Sequence, residues 1–212
     1  MKDEVKWEMS QETIVRKVDA EGTQTTIDEP HFDKMKEGET MNFDAHVNVE
    51  AMPQGKHLKK ATIFSNVPSG GTWEIISDEG KPIGGRGSAP SPIMYFATGA
   101  AFCMMSHVEM LAKQLDIDVK ARLEQKAAFT TTLNFGGIDP KDVFGKGVKF
   151  TVNLILESRE PDDKMEEFVA HCIQACMSLQ TVMQAVPAEV GLVHNGNDII
   201  KVEQPQSTSH AN

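Results

Sequence analysis

A chain of 212 residues can bury one proper core, or at most two small ones. With 40% hydrophobic and 25% charged residues it is ordinary globular material, and no apolar run is long enough to span a bilayer, so no membrane association is expected. A net charge of −10 repels a nucleic-acid backbone, and the acidic start Met1-Lys2-Asp3-Glu4 does not resemble a signal peptide, so the expected compartment is the cytoplasm, where thiols stay reduced.

Residues 1–40 are polar and weakly patterned and are expected to form an N-terminal extension. Within them Ser10 is placed to cap a short helix through Ile14 and Val15, with Gly22 ending it. From Met41 to Glu50 apolar and polar residues alternate strictly, which predicts a half-buried strand. Pro53-Gln54-Gly55 is a turn signal. Strands are predicted at 61–67 and 72–77, joined as a hairpin by Ser69-Gly70-Gly71, which gives a first antiparallel sheet of three strands. The local basic cluster Lys56-His57-Leu58-Lys59-Lys60 reads as a solvated strand edge.

A glycine-rich loop follows, with Gly80, Gly84, Gly85 and Gly87 around Arg86. It lacks the Lys-Ser/Thr of a phosphate-binding loop and reads as a turn that feeds a helix. Ser91-Pro92 opens that helix, with serine at the N-cap and proline at the first turn. From Ile93 to Met105 the helix is apolar on almost every side, which predicts burial all round.

Strands return at 117–123 and 148–156, separated by a loop through Gly136-Gly137 and Asp139-Pro140. Pro161-Asp162-Asp163 starts a second helix, its acids well placed for the helix dipole. Its apolar stripe runs Phe168, Cys172, Cys176, Leu179, Met183 and Val186. A last strand is predicted near 199–202, and residues 204–212 read as a flexible tail. The order is α+β, with antiparallel sheets and two central helices. One three-stranded sheet cannot cover an all-apolar helix, so a second copy in a two-fold homodimer is expected to supply the rest.

The three cysteines lie only in these two helices: Cys103, Cys172 and Cys176. Thiols grouped in this way in a reducing compartment point to chemistry or a metal before structural disulfides.

Three segments together resemble the OsmC/Ohr family. They are Ile76-Ser77-Asp78-Glu79-Gly80 with Ile83-Gly84-Gly85-Arg86-Gly87-Ser88-Ala89-Pro90-Ser91-Pro92, the apolar helix through Cys103, and Cys176-Met177-Ser178-Leu179-Gln180-Thr181 with Val186-Pro187. The likeness spans about residues 41–203. It implies an OsmC-like fold, antiparallel sheets packed on two central helices in an intertwined homodimer, and a stress-response thiol peroxidase. Cys103 takes the position of the peroxidatic cysteine and Cys176 that of the resolving one. The substrate would be a small organic hydroperoxide and the reductant an external dithiol, with no cofactor and no metal. The alternative is a family member that keeps the fold without peroxidase activity and binds a small apolar or thiol-reactive ligand at the dimer interface.

In the family an arginine held by a glutamate activates the peroxidatic thiol. Here the helix start, Pro92-Ile93-Met94, carries no acid, and the arginines are Arg16, Arg86, Arg122 and Arg159. Arg86 is the first candidate and Arg16 the second. Cys103 lies eleven residues beyond Pro92, roughly 16 Å along the axis at ~1.5 Å per residue. The dipole of its own helix acts only over the first turn and cannot activate it. Cys172, one turn before Cys176, is expected to pack in the core. The i, i+4 spacings of Cys103 with His107 and of Cys172 with Cys176 would also suit zinc if the helices pack as the family implies.

Overall fold

The computed structural model describes residues 14–18, 45–52, 57–65, 70–132, 138–184, 186, 188, 190–195 and the backbone of 197–199. The expectations for Ser10, Gly22, Met41, the turn at Pro53, the Gly136-Gly137 loop and residues 200–212 lie outside that set. The chain divides into two units, Met1–Thr98 and Gly99–Asn212, with the boundary inside the first long helix.

The first unit holds strands β1 (Val15–Val18), β2 (Ala45–Ala51), β3 (Lys59–Ser65) and β4 (Thr72–Ser77). They form one antiparallel sheet in the order β1-β4-β3-β2. The helix expected at Ile14–Val15 is instead a strand. Val15-Arg16-Lys17-Val18 pairs with the free edge of β4, matching Val15 with Ile75 and Arg16 with Glu74. Tertiary pairing outweighs the weak local cap signal.

Strand β3 is interior rather than an edge. Its lysines are therefore not edge guards. Lys60 lies 3.7 Å from Glu74 and 3.9 Å from Glu50, and Lys59 lies 3.6 Å from Glu79. Arg16 joins Lys60 and Glu50 on one face through Glu74, whereas Lys59 lies on the other. The apolar face carries Val15, Val47, Val49 and Trp73, all exposed, so the expected half-burial of β2 is not met along Val47 and Val49.

Helix α1 (Pro92–Gln114) begins where the Ser91-Pro92 signal places it. Main-chain N–H groups of Met94 and Tyr95 donate to the Ser91 carbonyl at its start. At its end Asp116 adopts a left-handed backbone, φ 53°, and the Ile117 N–H donates to the Ala112 carbonyl at 2.9 Å. That bond satisfies an otherwise unpaired carbonyl and turns Ile117, 6% exposed, into the core. Burial of α1 runs along one stripe, Ala100, Met104, Val108 and Ala112, at the four-residue spacing of a single helix face. The described residues do not bury the helix on every side: Met94, Phe102 and Met110 are 56%, 69% and 64% exposed.

The second unit pairs two long strands, β5 (Val119–Thr131) and β6 (Gly145–Ser158), in an antiparallel ribbon with a register shift between Ala128 and Phe129. Val119, Ala121 and Leu123 face Leu154 and Leu156 across it, and these side chains pack on Met104, Val108, Ala112, Phe168 and Cys172. Helices α2 (Asp162–Ala175) and α3 (Met177–Met183) follow, then a small pair, β7 (Leu192–His194) and β8 (Asn197–Ile199). The single second helix expected from the stripe is thus two. Cys176 between them is extended, φ −74° and ψ 100°, which interrupts the helical ladder. The expected stripe is buried at Phe168, Cys172 and Cys176 but not at Met183 and Val186, which are exposed, and Val186 lies beyond the end of α3. The result is an α+β protein with antiparallel sheets and three helices.

Candidate active site

The middle of α1 and the α2–α3 junction bring the thiols together. Cys103 is half-buried in mid-α1, and Cys176 sits fully buried at the junction. The Cys176 thiol lies 3.7 Å from the Cys103 sulfur and donates to it. His107, one turn after Cys103, has Nδ1 at 3.9 Å from that sulfur and at 2.8 Å from the Cys103 carbonyl oxygen. Cys103, His107 and Cys176 each offer a ligand atom within 4.8 Å of the others, a set that could hold a metal ion. Cys172 stands apart from this group, its sulfur 4.0 Å from the His107 carbonyl oxygen.

The three thiols differ in acidity for reasons visible in the packing. Partial burial pushes Cys103 up. The Ser178 hydroxyl, the Ser178 N–H, the Cys176 thiol and the Met177 N–H all hydrogen-bond to its sulfur, and together they bring it below the ordinary thiol range. Met177 and Ser178 are the first residues of α3, whose main-chain N–H groups have no carbonyl partner within the helix. The break at Cys176 is what frees those donors to face Cys103. Burial drives Cys176 the other way, and its proton is further held by donation to Cys103. Cys172 is pushed up to about 11, chiefly by burial and then by the charge of Cys176.

Of the residues singled out from the sequence, Cys103 and Cys176 meet. Arg86 belongs to the other unit, where its main-chain N–H donates to the Asp78 carboxylate at 3.1 Å. The groups that lower Cys103 all lie in its own unit and are neutral donors. Ser178 and Met177 were missed because the uninterrupted stripe concealed the helix end. A serine two residues after a resolving-type cysteine was the only trace.

Asp78 was also missed as a determinant of the glycine-rich loop. Its side chain is 2% exposed and accepts from the N–H groups of Glu79, Arg86 and Ser88 and from the Ser88 hydroxyl, at 2.8–3.1 Å. Burial pushes this carboxyl up, but those bonds outweigh it and the net direction is down. The loop wraps so closely that a Cβ on Gly85 would meet the Glu79 carbonyl oxygen at 1.9 Å. Tyr95, in the first turn of α1, donates to the Ile76 carbonyl at 2.7 Å and ties the helix start to β4. The loop is therefore a built structural element that delivers the chain into α1.

The family model described as OsmC-like protein matches residues 85–191, and the chain belongs to that family. Among solved structures it is similar to an OsmC-like hydroperoxide resistance protein from a Jannaschia species, at 20% identity, covering 74% of this chain and 95% of that one with a TM-score of 0.47. An OsmC-like protein from Mycoplasma pneumoniae is 13% identical over 67% of this chain and 89% of its own, TM-score 0.48. An organic hydroperoxide resistance protein from Bacillus subtilis is 19% identical over 67% of this chain and 92% of its own, TM-score 0.39. No curated protein matches the chain. Among the described residues no helix is long and apolar enough to cross a membrane.

Proposed function

We propose that this chain reduces organic hydroperoxides with the Cys103–Cys176 pair. The observation that carries the reading is the 3.7 Å approach of the two sulfurs, from helices 73 residues apart in sequence. A disulfide needs ~2.0 Å, so closure asks for less than ~2 Å of movement.

The opposed directions of the two thiols support this division of roles. Cys103, brought down by its hydrogen bonds, is the nucleophile. Its thiolate attacks the distal peroxide oxygen, the O–O bond breaks, and the alkoxide leaves and takes up a proton as the alcohol. Cys103 is then a sulfenic acid. Cys176, held protonated until then, gives up its proton as its sulfur attacks Cys103; hydroxide departs and leaves as water. An external dithiol reduces the resulting disulfide and resets both thiols.

Arg86 is the candidate cation in this reading, carried over from the glycine-rich approach to α1, and would add to the neutral donors on Cys103. The active form is a homodimer in the cytoplasm. The exposed Met94, Phe102 and Met110 of α1 support a second copy as their cover.

The experiment is consumption of cumene hydroperoxide with a dithiol reductant, wild type against Cys103→Ser. Turnover lost in the variant supports the reading. Turnover that survives removes Cys103 as nucleophile. No turnover by the wild type with several organic hydroperoxides favours a protein that binds rather than reduces.

A further inference from the structure

We propose that the reduced site is also a metal-capture site, in which Cys103, Cys176 and His107 bind a thiophilic divalent cation of the zinc class through two thiolates and one imidazole nitrogen. The inference rests on spacing and ligand chemistry, and only its regulatory consequence rests on the peroxidase reading.

The sulfurs of Cys103 and Cys176 are 3.7 Å apart. A tetrahedral ion with Zn–S of ~2.3 Å sets its two sulfurs ~3.8 Å apart, so the pair already spans one edge of the coordination tetrahedron. With Zn–N of ~2.0–2.1 Å the sulfur–nitrogen edge is ~3.6 Å. Cys103 Sγ to His107 Nδ1 is 3.9 Å, a few tenths wide. Soft sulfur with imidazole selects zinc-class ions over the oxygen-seeking magnesium and calcium.

Positioning is shared between two elements. Cys103 and His107 are four residues apart on one face of α1, and Cys176 enters from the α2–α3 junction. Cys176 is fully buried, whereas Cys103 and His107 are partly exposed, which gives an ion a way in. His107 is the ligand that must adjust. Its Nδ1 lies 2.8 Å from the Cys103 carbonyl oxygen, and a nitrogen cannot donate to that oxygen while giving its lone pair to a metal. Three protein ligands leave a fourth position open for water.

Capture replaces two thiol protons by one divalent cation, leaving a neutral bis-thiolate centre and two protons in solvent. The same sulfur lone pairs cannot serve a metal and a peroxide together. Oxidation by one hydroperoxide consumes two protons, joins the sulfurs as a disulfide, and yields one alcohol, one water and the free cation. The metal-bound and disulfide states are therefore mutually exclusive, and the ion caps the reduced pair until a hydroperoxide oxidises it.

The test is titration of the reduced full-length protein with cobalt(II), read by its tetrahedral ligand-field and thiolate charge-transfer bands, with zinc competition. One cobalt per chain is expected. The bands should vanish in Cys103→Ser and Cys176→Ser and persist in Cys172→Ser. In His107→Ala affinity should fall about tenfold or more, since even an outer-shell partner is worth ~10–100-fold. Cumene hydroperoxide should release one zinc per chain to a chromogenic chelator. Absence of a tetrahedral spectrum in the folded, reduced wild type overturns the proposal, as does binding that ignores either cysteine. Binding unaffected by His107→Ala overturns the three-ligand set. Cobalt bound by a protein that never turns over peroxide sinks the peroxidase reading alone; turnover without cobalt binding sinks this one alone.

Discussion

The Cys176 thiol donates to the Cys103 sulfur across 3.7 Å, so one thiol holds a proton while it helps the other to lose one. One equivalent of organic hydroperoxide should therefore link Cys103 to Cys176 and leave Cys172 free. Peptide mapping by mass spectrometry after alkylation checks this. In Cys176→Ser the reaction should stop at the Cys103 sulfenic acid, trapped by a dimedone-type reagent, after a single turnover. A link between Cys172 and either partner would overturn the role assignment.

Ser178 is the strongest of the donors that lower Cys103. In Ser178→Ala the Cys103 acidity should move back towards the ordinary thiol value of ~8.5, and alkylation at neutral pH should slow several-fold. The pH profile of iodoacetamide labelling at Cys103 reads this directly. The wild-type inflection should lie below that value, because a lowered pKa means more thiolate at neutral pH.

Cys172, fully buried and pushed up to about 11, should resist alkylation at neutral pH until the chain unfolds. The sign of its linkage is set by the direction. A thiol raised in the folded state adds stability below the unfolded value of ~8.5 and loses it as pH climbs towards the folded one. Urea midpoints should therefore fall between pH ~8.5 and about 11, and fall less in Cys172→Ala.

Asp78 gives the opposite limb. Its carboxyl is lowered in the folded state, so its contribution is complete above the ordinary carboxylate range and is lost as pH drops through the lower folded value. Asp78→Asn keeps the shape but turns an acceptor into a donor facing N–H groups. It should cost about 1.5–3 kcal/mol, the scale of hydrogen bonds to a charged group. Amide exchange at Arg86 and Ser88 should quicken in the variant.

Gly85→Ala should disturb the same loop by sterics. The new Cβ would press on the main-chain carbonyl of Glu79, which cannot swing aside as a side-chain tip would. Destabilisation of about 1–3 kcal/mol is expected, measured by thermal or urea unfolding. Gly87→Ala faces no such neighbour and should cost less, limited to the strain of its φ of 67°.

The elements with strong periodicity were legible in the sequence. Thr72–Ser77 and the Pro92 start of α1 agree to the residue, because alternation and a Ser-Pro cap are local signals. Strand β1 was not legible, since four residues gain a partner only once β4 exists. The cysteine pair could be picked out through the family likeness. Its activating donors could not, because an apolar stripe at four-and-three spacing looks the same whether a helix continues or breaks. Ser178 at the head of α3 follows from the backbone at Cys176, which side-chain patterning does not report.

That backbone carries a consequence for any mutational study of residue 176. The position supplies a sulfur and also a corner, and the two can be lost separately. Alanine, the strongest helix former, removes the thiol and favours fusing α2 with α3. Fusion would give the Met177 and Ser178 amides helical partners and withdraw them from a sulfur seventy-odd residues away. A Cys176→Ala phenotype would then mix absent resolution with a less acidic Cys103. Serine, which favours the start of a helix, keeps the corner and isolates the sulfur's share.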